Sequence, residues 1–296
     1  MKKRMLTGLF CMVVLFSISG CGKSTKKVVV ASKPVTEQYI LAEMISQLIE
    51  ADTDIEVEKT LGIGGGTSNI HPAMVKGDID IYPEYTGTGW LFVLKKELIS
   101  DPKEMYASVK SEYKEKYNIE WLGLYGFNDT YTLAVKDSLA KEYKINTYSD
   151  LAKVSENLIF GAEPDFFVRP DGYEGLKKTY TINFKTNSQM DIGLKYAAIE
   201  ANKVDVINAF STDALLKKNN LIALVDDKNF FPSYQAATLI RGETLEKYPE
   251  LKEVLEKMTG QISEKVMIDM NYEVESEKKD PADVAKGFLK LKGLLK

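Results

Sequence analysis

The chain has 296 residues, 44% of them hydrophobic and 28% charged, with a formal net charge of −4. That length accommodates one large or two modest domains, and the absence of a basic stripe argues against a nucleic-acid partner. With one histidine and two cysteines, a histidine-based metal cluster is excluded, and the usual Cys/His or Ser/His/Asp constellations fail unless His71 is the base. Lys2, Lys3 and Arg4 precede an apolar run over 9–18, the layout of a secretory signal and too short to span a bilayer comfortably. The signal, 1–20, closes at Ile18-Ser19-Gly20-Cys21, which matches the bacterial lipobox; Cys21 then carries the lipid and becomes the mature N-terminus. An ordinary signal with a chance cysteine is the alternative. Residues 21–27 form a polar tether from the lipid. Cys11 leaves with the signal, so no disulfide remains and packed cores must supply the stability. Taking the three positive charges of 1–20 from −4 leaves 276 residues at −7.

Residues 28–31 read as a buried strand, ended by Lys33-Pro34. Thr36 is the expected N-cap of a helix over about 37–50, whose apolar positions Ile40, Leu41, Met44, Ile45, Leu48 and Ile49 recur at helical spacing. Residues 55–58 alternate as a strand, 62–66 form a glycine turn, and Thr67-Ser68-Asn69 is expected to cap a helix to Lys76. A strand over 79–82 then stops at Pro83. This alternation of strands and helices predicts a parallel sheet. A charged helix covers 101–117, and the run from Ile119 leads to a strand over 132–135. The pattern then starts afresh, with a helix near 149–154, a strand at 158–161, helices near 173–180 and 190–201, and a strand at 204–207. Residues 221–225 and 236–240 read as returning strands, and 245–295 as a helical tail with Leu251, Val254, Leu255 and Met258 on one face. The expected fold is α/β and two-lobed: 28–131 with 236–296 make lobe I and 132–235 lobe II, with hinges near 132–135 and 236–240. A single larger sheet is the alternative.

Few residues offer chemistry. His71, in the first turn of its helix before Pro72, suits a local hydrogen bond or the surface. The glycine turn lacks the Lys-Ser/Thr of a phosphate loop, and dinucleotide spacing would need glycine at Thr67. Helix N-termini at Thr36 and Thr67 offer free N–H groups to a carboxylate. Tyrosines and hydroxyl residues gather in Tyr82-Pro83-Glu84-Tyr85-Thr86-Gly87-Thr88, just past a strand's carboxyl end, where open α/β sheets bind small ligands.

That run, in order with Thr36-Glu37-Gln38, Phe127-Asn128-Asp129-Thr130-Tyr131, Phe160-Gly161-Ala162-Glu163 and Phe166-Phe167-Val168-Arg169-Pro170-Asp171-Gly172-Tyr173, resembles the solute-binding proteins of osmoprotectant ABC importers. Asn208-Ala209-Phe210-Ser211-Thr212-Asp213, Phe231-Pro232-Ser233-Tyr234, Met270-Asn271-Tyr272, Val284-Ala285 and Phe288-Leu289 continue the likeness over nearly the whole mature chain. Such proteins capture glycine betaine, choline, carnitine and related quaternary amines. The resemblance implies a type II periplasmic-binding-protein-like fold, parallel-rich sheets with flanking helices, a ligand cleft between the lobes, no catalysis and no cofactor. It also implies a monomer on the extracellular face of a Gram-positive-type cell membrane, held there by its N-terminal lipid and partnered by ABC permease and ATPase subunits.

By the same likeness, Tyr85, Tyr131 and Tyr234 match three walls of an aromatic cage, and Phe210 falls where the fourth is commonly tyrosine. Asp129 matches a position whose backbone carbonyl lines the cage. Gln38 and Thr88 match groups that hold a ligand carboxylate in betaine binders, and Lys33 and Arg169 match basic residues doing so in other members. A trimethylammonium group has no N–H donor, so aromatic faces suit it, each contributing about 0.5–2 kcal/mol once desolvated. A guanidinium fork fits a carboxylate in two bonds. Glycine betaine and carnitine lead among the ligands. Ergothioneine competes, its thio-imidazole calling for polar partners such as Glu163 or Asn69. Two rivals come from other classes: an anchored enzyme using Glu84 with Glu163, and a surface adhesion or sensory lipoprotein.

Overall fold

A computed structural model describes residues 26–296, so the expected signal, Cys21 and most of the tether lie outside the described residues. The chain first builds β1 (Lys27–Ala31), α1 (Thr36–Asp52), β2 (Glu56–Thr60), α2 (Thr67–Lys76), β3 (Ile81–Tyr85), a π-helical turn (Thr88–Val93), α3 (Pro102–Tyr117) and β4 (Ile119–Asn128). It crosses to form β5 (Tyr131–Lys136), α4 (Asp137–Tyr143), α5 (Tyr148–Ala152), β6 (Ile159–Ala162), α6 (Pro164–Val168), α7 (Tyr173–Tyr180), β7 (Thr186–Gln189), α8 (Lys195–Glu200), β8 (Val206–Phe210), α9 (Leu215–Lys218) and β9 (Leu221–Ala223). It returns through β10 (Gln235–Arg241) and finishes with α10 (Gly242–Lys247), α11 (Glu250–Glu256), α12 (Glu264–Glu275) and α13 (Pro281–Leu291).

The strands form two five-stranded sheets, ordered β2-β1-β3-β10-β4 and β7-β6-β8-β5-β9. Both are mixed rather than parallel throughout. β1, β2 and β3 run parallel, as do β6, β7 and β8, while β10 opposes β3 and β4, and β5 opposes β8 and β9. The crossings explain the antiparallel members. Gln235, opening β10, lies opposite Asn128, closing β4, so the chain leaves and re-enters the first sheet at the same end and must run back. β5 already starts at Tyr131, and the passage out is Asp129-Thr130, ahead of 132–135. The passage back ends at Tyr234, ahead of 236–240. Asn128 Oδ1 stitches the two passages together, accepting from Ser233 Oγ at 3.0 Å and Tyr234 N at 2.6 Å.

Three local expectations need correction. Pro83 does not end its strand but sits inside β3, opposite Thr238 of β10. The parallel pairing to β1 is at Val30 and Ile81, so the N–H that Pro83 lacks is not needed farther along that edge. Thr36 and Thr67 are first-turn residues, and the N-caps are Val35 and Gly66 without side-chain capping bonds. His71 is buried, its ring set edge-on to Tyr113 and Tyr117 at 5.4 and 4.8 Å, with neither nitrogen hydrogen-bonded. Burial pushes its pKa down to about 4, so it is a neutral core ring.

All six predicted apolar positions of α1 are buried, and so are Glu37, Gln38, Glu43 and Ser46, because α11, α12 and α13 cover the side that sheet I does not. The predicted tail face Leu251, Val254, Leu255 and Met258 is buried as well. One apolar cluster runs from lobe I through Tyr85, Tyr131 and Tyr234 into lobe II, so the cleft is a continuation of both cores. No helix among the described residues is long and apolar enough to cross a membrane.

Candidate ligand-binding site

Between the two sheets lies a cavity of about 780 Å³. Lys33, Glu37, Tyr85 and Thr88 line it from lobe I, and Tyr131, Arg169 and Phe210 from lobe II. Strand ends place the aromatic groups. Tyr85 closes β3, Tyr131 opens β5 directly opposite Phe210 at the close of β8, and Tyr234 immediately precedes β10. The Tyr131 ring lies 4.9 Å from Phe210 and 5.4 Å, edge to face, from Tyr234. Phe231 and Phe166 back it at 5.6 and 5.2 Å. Glycine makes room for this arrangement at one place: a Cβ on Gly87 would stand 2.6 Å from the Tyr234 ring.

Of the five basic side chains that line the cavity, Lys33, Arg169 and Lys195 reach the aromatic groups, each already paired and each over a ring. Lys33 pairs with Glu84 and sits 4.8 Å from the centre of the Tyr85 ring. Arg169, 3% exposed, donates to Asp171 through Nε at 3.0 Å and through Nη2, and lies 5.1 Å from the Tyr131 ring and 6.0 Å from that of Tyr234. Burial alone would lower its pKa, but Asp171 more than offsets this and keeps the guanidinium charged. The Tyr234 hydroxyl donates to the same Asp171 carboxylate at 2.5 Å. Thr88 Oγ1 stands 3.5 Å from both terminal guanidinium nitrogens, so lobe I and lobe II bring two carboxylate-binding groups to one point. Lys195 donates to Glu163 at 3.1 Å and Asn208 at 3.2 Å and sits 4.8 Å from the Phe210 ring.

The acids outnumber these bases. Glu37 accepts from the Tyr85 hydroxyl at 2.5 Å, and its other oxygen lies 2.7 Å from Thr212 Oγ1 and 3.5 Å from Asn271 Nδ2. Asp129 Oδ1 lies 2.8 Å from the same Thr212 hydroxyl. Asp213 accepts from the Tyr196 hydroxyl at 2.7 Å and from Phe210 N at 2.9 Å. Burial pushes the Glu37 carboxyl up to about 7 and Asp129 well above the usual carboxylate range; it raises Asp213 too, and Glu275 to about 7. Other bonds also cross the cleft, including Ser68 Oγ to Asp165 at 2.7 Å and Asn271 Nδ2 to the Thr212 carbonyl at 3.0 Å.

Of the residues singled out in the sequence, Tyr85, Tyr131, Phe210, Tyr234, Thr88, Arg169, Lys33 and Asp129 all line this one cavity. Gln38 does not. It is fully buried one layer behind, its Oε1 accepting from Lys33 N at 3.4 Å. Asn69 is turned back on its own loop, donating to the Gly64 carbonyl at 2.7 Å. Glu84 and Glu163 lie in different lobes, each bound to its own lysine, so they do not form an acid–base pair. Glu37, Gly87, Asp171, Lys195, Thr212 and Asn271 were not anticipated. Five of them sit in sequence runs quoted above, but only the folded chain shows which member of each run faces the cleft. Among the described residues no group of His, Cys, Asp or Glu is arranged to hold a metal.

Residues 26–291 match the family described as the substrate-binding domain of the ABC-type glycine betaine transport system. The chain is 48% identical over 269 residues to the ergothioneine transport permease/ergothioneine binding protein EgtU of Helicobacter pylori, covering 91% of this chain but only 48% of that longer protein. It therefore spans about half the length of that relative. It is 38% identical to the carnitine transport binding protein OpuCC of Listeria monocytogenes, over 98% of this chain and 97% of the other. A crystal structure of a glycine betaine/carnitine/choline ABC transporter superposes with a TM-score of 0.70 at 36% identity, covering 90% of this chain and 99% of that one. Its fold, its cleft and these matches together make the chain a member of the substrate-binding domain family of ABC-type glycine betaine transport systems.

Proposed function

We propose that this protein is the solute-binding component of an ABC importer and that its ligand is a trimethylammonium zwitterion. The observation that carries the reading is that Tyr85, Tyr131, Phe210 and Tyr234 face one cavity whose polar wall offers Arg169 and Thr88. Aromatic faces serve a cation that cannot donate hydrogen bonds, and a guanidinium beside a hydroxyl serves a carboxylate. The ligand fills the cleft from both lobes, so it favours the closed arrangement through contacts that an open cleft lacks. The stitched passages at Asp129-Thr130 and up to Tyr234 are the hinge, and the chain up to β4, with β10 to α13, moves against β5 to β9. Acylated Cys21 holds the protein at the outer membrane surface, where permease and ATPase subunits receive the ligand.

Ergothioneine is the first candidate, ahead of the carnitine and glycine betaine that the sequence alone puts first. The 48% identity to a protein named for ergothioneine supports it, as does a cavity of about 780 Å³, roomier than a compact betaine requires. Beyond the rings, Glu163 and Lys195 offer polar partners to a longer ligand. The test is calorimetric titration of the purified protein with ergothioneine, carnitine, glycine betaine and choline. Tightest binding by ergothioneine is expected. Binding of none of the four would overturn the function, and preference for a short betaine would overturn the order.

A further inference from the structure

The Thr212 hydroxyl lies 2.7 Å from a Glu37 oxygen and 2.8 Å from an Asp129 oxygen. A hydroxyl has one proton to give. It can donate to one of these carboxyls only, so the second contact is a hydrogen bond only when that carboxyl is protonated and donates back. Two acids on one hydroxyl, all three groups buried, are therefore satisfied together when they share one proton. The neighbours reinforce this. Asp213, behind β8, and Glu275, on α12, add negative charge facing Glu37, while Tyr85 from β3 and Asn271 from α12 supply neutral donors. The nearby lysine, Lys195, sits against Asp213 and is already engaged by Glu163. The elevation of Glu37 and Asp129 by burial has the same sense.

The pair is also part of the cavity wall. Glu37 holds the hydroxyl of the cage tyrosine Tyr85, and Asp129 lines the same space. We propose that Glu37 and Asp129 are specificity-determining residues of this site: bridged by Thr212, they are the counter-charge of the bound onium head, and capture of that head releases their shared proton to solvent. Only an O–H bond breaks, and the ligand's fixed positive charge takes the place of the proton. The three bases nearest the rings, Lys33, Arg169 and Lys195, are each matched by an acid, so the pair is left to supply negative charge to a permanently charged head. The Glu37–Thr212 bond also spans the lobes, Glu37 on α1 and Thr212 after β8, which couples the exchange to closure.

The inference rests on the proposed onium ligand, and its test separates the two. The purified protein is titrated calorimetrically with carnitine, glycine betaine and ergothioneine in buffers of different ionisation enthalpy at several pH values. Below about pH 7, proton release on binding is expected, with affinity rising up to about tenfold per pH unit and levelling above it. Glu37→Gln keeps an acceptor for Tyr85 but cannot exchange a proton; it is expected to lose at least about tenfold in affinity and most of the pH dependence. Asp129→Asn is the second arm should Glu37→Gln fold poorly, and the wild-type proton count needs no variant. Tight, pH-independent binding with no proton released would overturn this inference and leave the onium reading standing. No binding by any ligand would remove that reading first.

Discussion

Tyr85 comes to the cavity from the end of β3 and Tyr234 from the passage that returns to β10, and each hydroxyl is held by a carboxylate, Glu37 and Asp171 respectively. Replacing either by alanine removes a ring face and also leaves a buried acid one donor short. Each change is expected to cost at least about tenfold in affinity, measured calorimetrically, because one desolvated ring contact is worth about 0.5–2 kcal/mol. Unchanged affinity in both would remove the cage. Arg169 is different, since its Nε and Nη2 are engaged by Asp171 while Nη1, beside Thr88, is not bound to that carboxylate and is placed for a ligand. Arg169→Ala should weaken zwitterions far more than choline, which lacks the carboxylate; equal losses would assign it a purely structural part. These residues were singled out through the resemblance of their sequence runs to a family, since a tyrosine near a strand end more often packs than binds. Glu37, Thr212 and Asp171 were not, since acids and hydroxyls in such positions ordinarily cap helices or face water. Only the cross-lobe distances reveal what they bind.

At the level of elements, the six apolar positions of α1 and the tail face at 251–258 follow from periodicity, which the burial bears out. Periodicity could not show that the buried face of α1 wraps fully around, because that depends on the last helices returning to cover it. Nor could it show that β10 runs antiparallel, which follows from where the two passages cross. Pro83 misled for a related reason: proline ends a strand only where its missing N–H is needed. Gly87 belongs to this scale as well, joining β3 to the π-helical turn that carries Thr88. Its backbone is ordinary, and the constraint is the Tyr234 ring 2.6 Å from a would-be Cβ. Gly87→Ala should therefore shift that ring, cost about 1–3 kcal/mol of stability in chemical denaturation, and weaken binding. Full stability with unaltered affinity would show that the ring yields freely.

For the whole molecule, buried acids on the cleft set the response to pH. The Glu37 pKa rises from 4.5 to about 7 on folding, so the folded state binds protons that the unfolded state has released. Its contribution is intact below about pH 4.5 and is lost as pH rises through about 7, and Glu275 acts in the same sense. The ligand-free protein should melt lower at pH 8 than at pH 5.5, by an amount on the order of a few kcal/mol of stability, and Glu37→Gln should flatten the trend. A melting temperature that climbs over that range would contradict this ordering. On the proposed reading, the two sheets, their shared apolar cluster and the acids between them act as one device for a permanent cation. The most direct test compares each zwitterion that binds with its tert-butyl isostere, in which carbon replaces the quaternary nitrogen at nearly constant shape. Isostere affinities at least about tenfold weaker are predicted; equal affinities would mean that the cavity recognises bulk rather than charge.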